Sequence, residues 1–119
     1  MADMILVVED DDALRATMAD ALRAEGFEVR EAADGRAALD ALDSGLRPDL
    51  IVLDLMMPVM NGWEFRAAQL RDPDLSHIPV LVLVEAGAEE EAAERLSAVG
   101  ALRCPCKPEQ IVIAVRRHL

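Results

Sequence analysis

An acidic residue closes an apolar run in the middle of the chain. The run Leu50-Ile51-Val52-Leu53 is followed at once by Asp54, and Pro58 and Gly62 come later in the same segment. A short apolar run bounded by charge, proline and glycine is typical of a buried strand. In open α/β sheets, ligands bind beyond the carboxyl ends of the strands. The pattern therefore predicts that the Asp54 carboxylate is accessible at a reactive edge of a sheet.

A second group of acids follows the first apolar run. The residues from Met4 to Val8 are followed by Glu9, Asp10 and Asp11. Two strand ends of this kind bring several carboxylates together. Oxygen-rich clusters suit a hard divalent cation, Mg²⁺ in particular. The sequence therefore predicts an acidic magnesium site.

The cysteines and histidines offer no comparable constellation. Cys104 and Cys106 flank Pro105, and a C-x-C pair alone supplies neither a disulfide framework nor enough ligands for zinc. We expect a structural role for both cysteines. His77 and His118 are isolated in the sequence, so no Ser/His or Cys/His arrangement for nucleophilic catalysis is visible.

Length and composition limit the class of protein. With 119 residues, 53% of them hydrophobic, the chain is predicted to be a single domain over residues 1–119 with a substantial core. The net charge of −11 gives no electrostatic footprint for nucleic acid or an anionic membrane surface. No apolar run approaches the roughly 20 residues of a membrane span, and the N-terminus lacks the pattern of a signal peptide. We therefore expect a cytoplasmic protein whose partners are proteins or cations.

Apolar runs and amphipathic stretches alternate along the chain. The runs cover residues 4–8, 27–31, 50–53, 79–84 and 101–105, and the stretches cover residues 11–25, 34–44, 61–71, 87–98 and 108–119. Strands that alternate with helices predict a parallel sheet covered on both faces. The predicted fold class is α/β, a (βα)5 flavodoxin-like doubly wound sheet with strand order 2-1-3-4-5. In the first helix, Asp12 is predicted to cap the start and Gly26 to end it.

Three segments resemble the response-regulator receiver domain, in the same order along the chain. They run from Ile5 to Asp10, from Asp49 to Gly62 and from Cys106 to Pro108. The combination of Asp-x-x-x-Pro-x-x-x-Gly, two upstream acids and a downstream Lys-Pro is specific, whereas any one piece alone is weak. The resemblance covers essentially the whole chain. It implies a CheY-like protein of two-component signal transduction, and the end of the sequence at the fifth helix predicts a stand-alone receiver.

The resemblance also implies roles for individual residues. Asp54 would be the phosphoacceptor, a nucleophile that takes a phosphoryl group from a histidine kinase or a phosphotransfer protein. Asp10, Asp54 and the backbone carbonyl of Met56 would hold Mg²⁺, and Glu9 would contact the ion through water. Lys107 would pair with Asp54 and then with its phosphoryl group. Such a protein is not an enzyme in the usual sense, although it takes part in its own phosphorylation and dephosphorylation.

Three positions depart from the family pattern. Family members usually carry Ser or Thr at the end of the fourth strand, where the hydroxyl binds the phosphoryl group, but this chain has Val84. The next position, commonly a small residue, is Glu85. Where the family often has Tyr or Phe on the fifth strand, this chain has Cys104. We expect these changes to weaken the conformational response without preventing phosphorylation.

Two functions follow from these matches and departures. The first is a phosphoacceptor receiver that acts as a switch or a relay through a changed protein-binding surface. The second is a receiver-fold interaction module, a pseudo-receiver, whose partners dock irrespective of phosphorylation. A phosphohydrolase of the haloacid-dehalogenase type is set aside, because its second acid would fall at Met56.

The resemblance implies a docking surface as well. The family commonly uses the fourth helix, the fifth strand and the fifth helix to bind downstream proteins or to form homodimers. Here the acidic residues Glu89, Glu90, Glu91 and Glu94 would lie on that surface. A charge run of this kind is most simply a solvated helix face, so it does not by itself predict a basic partner.

Overall fold

Strands and helices alternate throughout the computed structural model, which describes residues 2–119. All strand pairs are parallel, and the order in the sheet is β2-β1-β3-β4-β5. The predicted fold class and strand order are therefore confirmed. Within residues 2–119, no helix combines the length and the apolarity needed to cross a lipid bilayer. The strands are β1 (Met4–Val8), β2 (Glu28–Ala32), β3 (Leu50–Asp54), β4 (Val80–Val84) and β5 (Gly100–Arg103), and the helices are α1 (Asp12–Ala24), α2 (Gly35–Asp43), α3 (Gly62–Leu70), α4 (Glu89–Arg95) and α5 (Pro108–Arg117).

The sheet is buried on both faces because successive side chains of a strand point in opposite directions. On β1, Leu6 and Val8 pack in one core cluster with residues of α2, α3 and α4. Ile5 and Val7 pack in a second cluster with residues of α1 and α5. The central strands are therefore apolar along their whole length, and carboxylates occur only where the strands end.

The N-cap of the first helix lies one residue earlier in the chain than predicted. The side chain of Asp11 accepts a hydrogen bond from the Leu14 N–H at 3.0 Å, so Asp11 is the N-cap. The prediction of Asp12 was wrong because an N-cap side chain reaches the amide three residues ahead, and Asp12 is already helical. Asp12 instead forms a salt bridge with Arg15 at 2.6 Å. The end at Gly26 is confirmed, since its φ of +92° ends the helix in the left-handed region.

The fifth strand is shorter than predicted. It ends at Arg103, so Cys104 lies one residue beyond β5 and not on it. The Cys104 N–H still donates to the Val84 carbonyl at 2.7 Å, but Pro105 has no N–H with which to continue the ladder. Cys104 therefore stays beside β4 although the strand has ended.

A buried polar network attaches the end of α4 to α3. Arg66 on α3 is only 4% exposed, and it donates to the carbonyl oxygens of Leu96 at 2.9 Å and Ser97 at 3.0 Å. It also donates to Gln69 at 2.8 Å, and Gln69 in turn donates to the carbonyl oxygens of Leu75 and Ile78. Burial lowers the pKa of Arg66. The cation satisfies carbonyls at the helix C-terminus, where positive charge is favoured.

Replacement of Arg66 by methionine should lower the free energy of unfolding by about 2–4 kcal/mol, because the carbonyls at the end of α4 lose their donors inside the protein. Urea denaturation followed by circular dichroism measures this loss. The matched control is Arg36→Met, since Arg36 on α2 makes only an exposed pair with Asp40 and should cost less than about 1 kcal/mol. Equal losses for the two variants would contradict the role assigned to Arg66.

Candidate functional site

Three carboxylates meet between β1 and β3, where the strand order of the sheet reverses. β1 and β3 are neighbours, with Val8 opposite Leu53, so the residues that follow come together at one edge. Carboxylate oxygens of Glu9, Asp10 and Asp54 all lie within 4.8 Å of one another. The structure therefore brings together the acids that the sequence singled out.

Glu9 is the buried member of the cluster, with 4% of its surface exposed. Burial raises the pKa of Glu9 to about 8, and hydrogen bonds to Asp54 and Asp10 and repulsion from Asp54 add to this effect. The Oε2 atom of Glu9 accepts the N–H groups of Asp10 at 2.8 Å and Asp11 at 3.4 Å, which fixes the carboxylate in place. Burial and the neighbouring acids therefore both favour the protonated form of Glu9.

The chemistry of this donor set fits a hard divalent cation. All the side-chain donors are carboxylate oxygens, and they range from buried Glu9 through half-buried Asp54 to exposed Asp10. Oxygen-only sets that include one or two carboxylates and leave room for water suit Mg²⁺. A cation at this point would also offset the repulsion from Asp54, which adds to the effect of burial on the pKa of Glu9.

Close backbone contacts hold the segment after Asp54. The N–H of Met56 donates to Asp54 Oδ1 at 3.2 Å, and the N–H of Gly62 donates to the Leu55 carbonyl at 3.0 Å. A Cβ atom at position 62 would lie 2.5 Å from the Asp54 carbonyl oxygen. Glycine is required at this position because the start of α3 lies directly against the end of β3.

The same segment contains a strained turn. The N–H of Met60 donates to the Pro58 carbonyl at 2.7 Å, and Val59 between them has a φ of +66°. A turn with this hydrogen bond and positive φ is the rarer and more strained form of γ-turn, and β-branched residues seldom adopt it. The N–H of Gly35 donates to the Met60 carbonyl at 3.0 Å and ties the turn to α2. The segment is therefore held in one conformation from both ends.

A cavity of about 400 Å³ opens beside the acids. Its walls are mainly apolar. They include Trp63, Val84 and the small side chains of Ala88 and Ala92. Val84 is a buried wall residue and Cys104 is half-buried. The lining comprises Glu9, Asp54, Leu55, Met56, Trp63, Leu83, Val84, Glu85, Ala88, Ala92 and Cys104.

The two cysteines lie in contact at the edge of this cavity. The Sγ atoms of Cys104 and Cys106 are 3.0 Å apart, and both residues are half-buried. Burial raises the pKa of the Cys104 thiol to about 12, with further contributions from Cys106, Glu9 and Asp54. The predicted structural role is not tested by this contact.

The remaining predicted residues do not reach the acids. Lys107 is the exposed N-cap of α5, and its backbone N–H donates to Gln110 Oε1 at 2.7 Å. Within residues 2–119 the Lys107 ammonium makes no salt bridge, so its pairing with Asp54 stays a prediction. His77 is exposed, and His118 lies against Gly100 at the opposite end of the sheet.

Several residues of the site carry no motif. Trp63, Ala88 and Ala92 complete the cavity wall, and Arg15 donates to the Glu9 carbonyl at 2.7 Å. The four-residue spacing of Ala88 and Ala92 was the only signal in the sequence, because it places two small side chains on one helix face. Small residues at helical spacing are common in any packed core, so the signal did not indicate a cavity.

Comparison with known proteins identifies the family. The sequence model of the response regulator receiver domain matches residues 5–116. The chain belongs to this family. The DNA-binding response regulator MtrA of Mycolicibacterium smegmatis is 34% identical over 131 residues, which cover 100% of this chain and 51% of MtrA. The response regulator MprA of Mycolicibacterium vanbaalenii is 42% identical over 97 residues, which cover 82% of this chain and 39% of MprA. The chain thus spans about half the length of these relatives, or less.

Solved structures show the same relationship. The chemotaxis response regulator CheY4 of Vibrio cholerae superposes with a TM-score of 0.89 at 34% identity over 100% of both chains. The receiver domain of a signal transduction histidine kinase from Syntrophus aciditrophicus gives 0.85 at 32% identity and covers 99% of this chain and 90% of that domain. The chain is similar to receivers of both contexts over its full length.

Replacement of Glu9 by glutamine should stabilise the protein at pH 8 by on the order of 2 kcal/mol in the absence of divalent cations. In wild type, stability falls between pH 4.5 and about 8, because Glu9 ionises in the unfolded chain while the folded chain keeps the proton. Glutamine retains the oxygen that accepts the neighbouring N–H groups and cannot ionise. The advantage should therefore shrink as the pH is lowered towards 4.5, the ordinary pKa of the group.

Urea denaturation of both proteins at pH 5 and pH 8 in a chelating buffer measures this difference. The control is Glu28→Gln, an exposed carboxylate on β2, which should change stability by less than about 0.5 kcal/mol at either pH. A Glu9→Gln advantage of the same size at both pH values would contradict the assignment of the buried proton to Glu9.

Proposed function

We propose that this receiver domain is a phosphoacceptor whose reactive group is the Asp54 carboxylate. The observation that carries the proposal is the cluster of Glu9, Asp10 and Asp54 within 4.8 Å, at the switch point of the sheet. The half-buried Asp54 borders a cavity that admits an incoming group. The donor is a phosphohistidine on a histidine kinase or a phosphotransfer protein, in keeping with the family.

The transfer is a displacement at phosphorus. A carboxylate oxygen of Asp54 forms a bond to the phosphorus atom while the bond from phosphorus to the histidine nitrogen breaks, and that nitrogen keeps the electron pair. The product is an acyl phosphate on Asp54. Because the reaction needs little covalent chemistry from the protein, its rate depends on position and electrostatics. The contacts of Met56 and Gly62 with the Asp54 segment supply the position.

Because the cluster is acidic, transfer of a negatively charged phosphoryl group to Asp54 needs positive charge beside it. Asp10, Asp54 and the Met56 carbonyl would hold Mg²⁺, with Glu9 in contact through water. When bound, the ion offsets the charge of the carboxylates and of the phosphoryl oxygens. Lys107 would supply a second positive charge, provided that its side chain turns from solvent towards Asp54. The chain assists its own phosphorylation and dephosphorylation in this way and catalyses no reaction of another substrate.

Incubation with acetyl phosphate or phosphoramidate and Mg²⁺ should add one phosphoryl group to the wild type and none to Asp54→Asn. Intact-protein mass spectrometry detects the adduct, and circular dichroism confirms that the variant is folded. The matched control is Asp40→Asn, an exposed acid on α2, which should be modified like the wild type. Omission of Mg²⁺ should abolish the adduct in the wild type and in Asp40→Asn.

An adduct of unchanged stoichiometry on Asp54→Asn would reject Asp54 as the acceptor. A missing adduct can mean that no phosphoryl group was transferred or that the adduct was hydrolysed rapidly. Beryllofluoride tells these two cases apart, because it imitates the phosphoryl group and is not hydrolysed. The single tryptophan, Trp63, lines the cavity with Asp54 and reports this binding by its fluorescence. A wild-type protein with neither an adduct nor a beryllofluoride response would contradict the proposal.

The output of the phosphorylated domain is a changed protein-binding surface on α4, β5 and α5, in the cytoplasm. Downstream proteins or a second copy of the chain would dock there. The surface combines the exposed acids of α4 with exposed Ile113 on α5. Arg95 on α4 lies 5.0 Å from the centre of the Trp63 ring, which links this surface directly to the cavity wall.

A second function is favoured by the three positions that depart from the family pattern. Val84 offers no hydroxyl to a phosphoryl group, Glu85 adds a carboxylate to the cavity rim, and Cys104 leaves out the aromatic ring. A hydrogen bond to a charged acceptor contributes about 1.5–3 kcal/mol, which equals the usual size of an allosteric coupling of about 1–3 kcal/mol. The alternative is therefore a pseudo-receiver that binds its partners irrespective of phosphorylation.

Substitution of Val84 by threonine should show whether the missing hydroxyl limits the response to phosphorylation. If the missing hydroxyl limits the response, Val84→Thr should increase the coupling between phosphorylation and the Trp63 signal by about fivefold or more. Titration of Trp63 fluorescence with beryllofluoride measures this coupling, and Val99→Thr at an exposed position is the control. An unchanged response would assign the loss to Glu85 or Cys104 instead.

A further inference from the structure

The contact between the two cysteines is closer than packing requires. Their Sγ atoms are 3.0 Å apart, and a disulfide has a sulfur separation of about 2.05 Å. Formation of a disulfide therefore needs the two sulfur atoms to move together by roughly 1 Å. Both cysteines lie in the short connection between β5 and α5. Both side chains are half-buried, so a small reagent reaches them without unfolding of the domain.

The pair lies between two parts of the proposed phosphorylation site. Cys104 lines the cavity that holds the Asp54 carboxylate, and its N–H is fixed to the Val84 carbonyl at 2.7 Å. Cys106 directly precedes Lys107, the N-cap of α5. A covalent bond between the two sulfurs would therefore couple the cavity wall to the position of Lys107.

We propose that Cys104 and Cys106 are a redox modification site, which forms a reversible disulfide and thereby changes the access of Lys107 to Asp54. The bond itself is independent of the proposed function, whereas its effect on Asp54 rests on that function. In the cytoplasm, disulfides are rare, and those that form are usually transient or redox-sensing. A bond between residues only two apart closes a small ring, and strained disulfides are the more easily reduced ones.

The oxidant is a low-molecular-weight disulfide such as glutathione disulfide. The thiolate of one cysteine attacks a sulfur of the oxidant, forms a mixed disulfide and releases one glutathione thiolate. The second cysteine then attacks the protein sulfur of the mixed disulfide and releases the second glutathione. In sum, two protein thiols are oxidised to one disulfide and one glutathione disulfide is reduced to two thiols.

The first arm of the test measures the bond. The full chain is incubated with glutathione disulfide, quenched with acid and analysed by intact mass and by peptide mapping. Wild type should lose two hydrogens and gain no glutathione, and dithiothreitol should restore both thiols. Cys104→Ser and Cys106→Ser have one thiol each, so each should keep at most a mixed disulfide with glutathione.

Either of two results overturns the modification site. One is a wild-type protein that accumulates stable glutathione adducts as the single variants do. The other is a wild-type protein that stays fully reduced under conditions in which a single variant reacts. Circular dichroism of all three proteins shows whether serine has disturbed the fold.

The second arm measures the effect on the cavity. Oxidation of wild type should change the emission of Trp63, which lines the same cavity as Cys104, and should slow phosphorylation by acetyl phosphate on the order of fivefold or more. The double variant Cys104→Ser/Cys106→Ser has no thiol to modify; treated in the same way, it is the control and should show neither change. An oxidised protein with unchanged Trp63 emission and an unchanged phosphorylation rate would overturn the control of Asp54. If the reduced protein took up no phosphoryl group, the proposed function would be contradicted. The result for the disulfide, which is measured by mass, would still stand.

Discussion

The crowding of three carboxylates at one point of the sheet is the constraint on which the rest of the structure depends. Like charges at this distance repel each other strongly when one of them is buried. Burial of Glu9 raises its pKa to about 8, and hydrogen bonds to Asp54 and Asp10 and repulsion from Asp54 add to this effect, so Glu9 keeps its proton where an ordinary carboxyl has lost it. The fold supports this arrangement because β1 and β3 are apolar on both faces, and because glycine at position 62 allows α3 to lie directly against the end of β3. The cluster therefore needs a bound cation, or a proton on Glu9, to offset its negative charge.

The cavity beside the acids separates the chemistry of the domain from its response. In the proposed function, binding of a cation and attack by Asp54 depend on oxygen atoms at the ends of β1 and β3, where Glu9, Asp10 and Asp54 lie together. A conformational response depends on what fills the space between the acids and α4, and here that space is lined by Val84, Ala88 and Cys104. A small apolar wall offers a phosphoryl group neither a hydrogen bond nor a ring to displace. In the proposed function, phosphorylation and signalling are therefore separable.

The sequence predicted the elements that periodicity and chain order determine, and it failed where side-chain direction decides. Five buried runs and their order follow from apolar patterning, and the acidic cluster follows from the strand order. The cap of α1 was displaced from Asp12 to Asp11, because several adjacent acids offer equal cap chemistry and only geometry selects one. Arg66 was not foreseen as buried, since arginine on an amphipathic helix is normally solvated. The contact of Cys104 with Cys106 was not foreseen either, because a C-x-C spacing does not fix the direction of two side chains in a loop.

The shortest helix of the fold borders both the cavity and the proposed docking surface. α4 has only 7 residues, and its N-cap Ala88 makes no side-chain hydrogen bond. Short helices contribute little stability of their own, so the position of α4 depends on the packing of Ala92 and Leu96 and on the hydrogen bonds from Arg66. Segments of low local stability are the ones that move in regulated proteins. A change at the cavity wall therefore acts on a short helix that lines the same cavity, which gives the proposed covalent changes at Asp54 and at the cysteine pair a direct physical route to the surface.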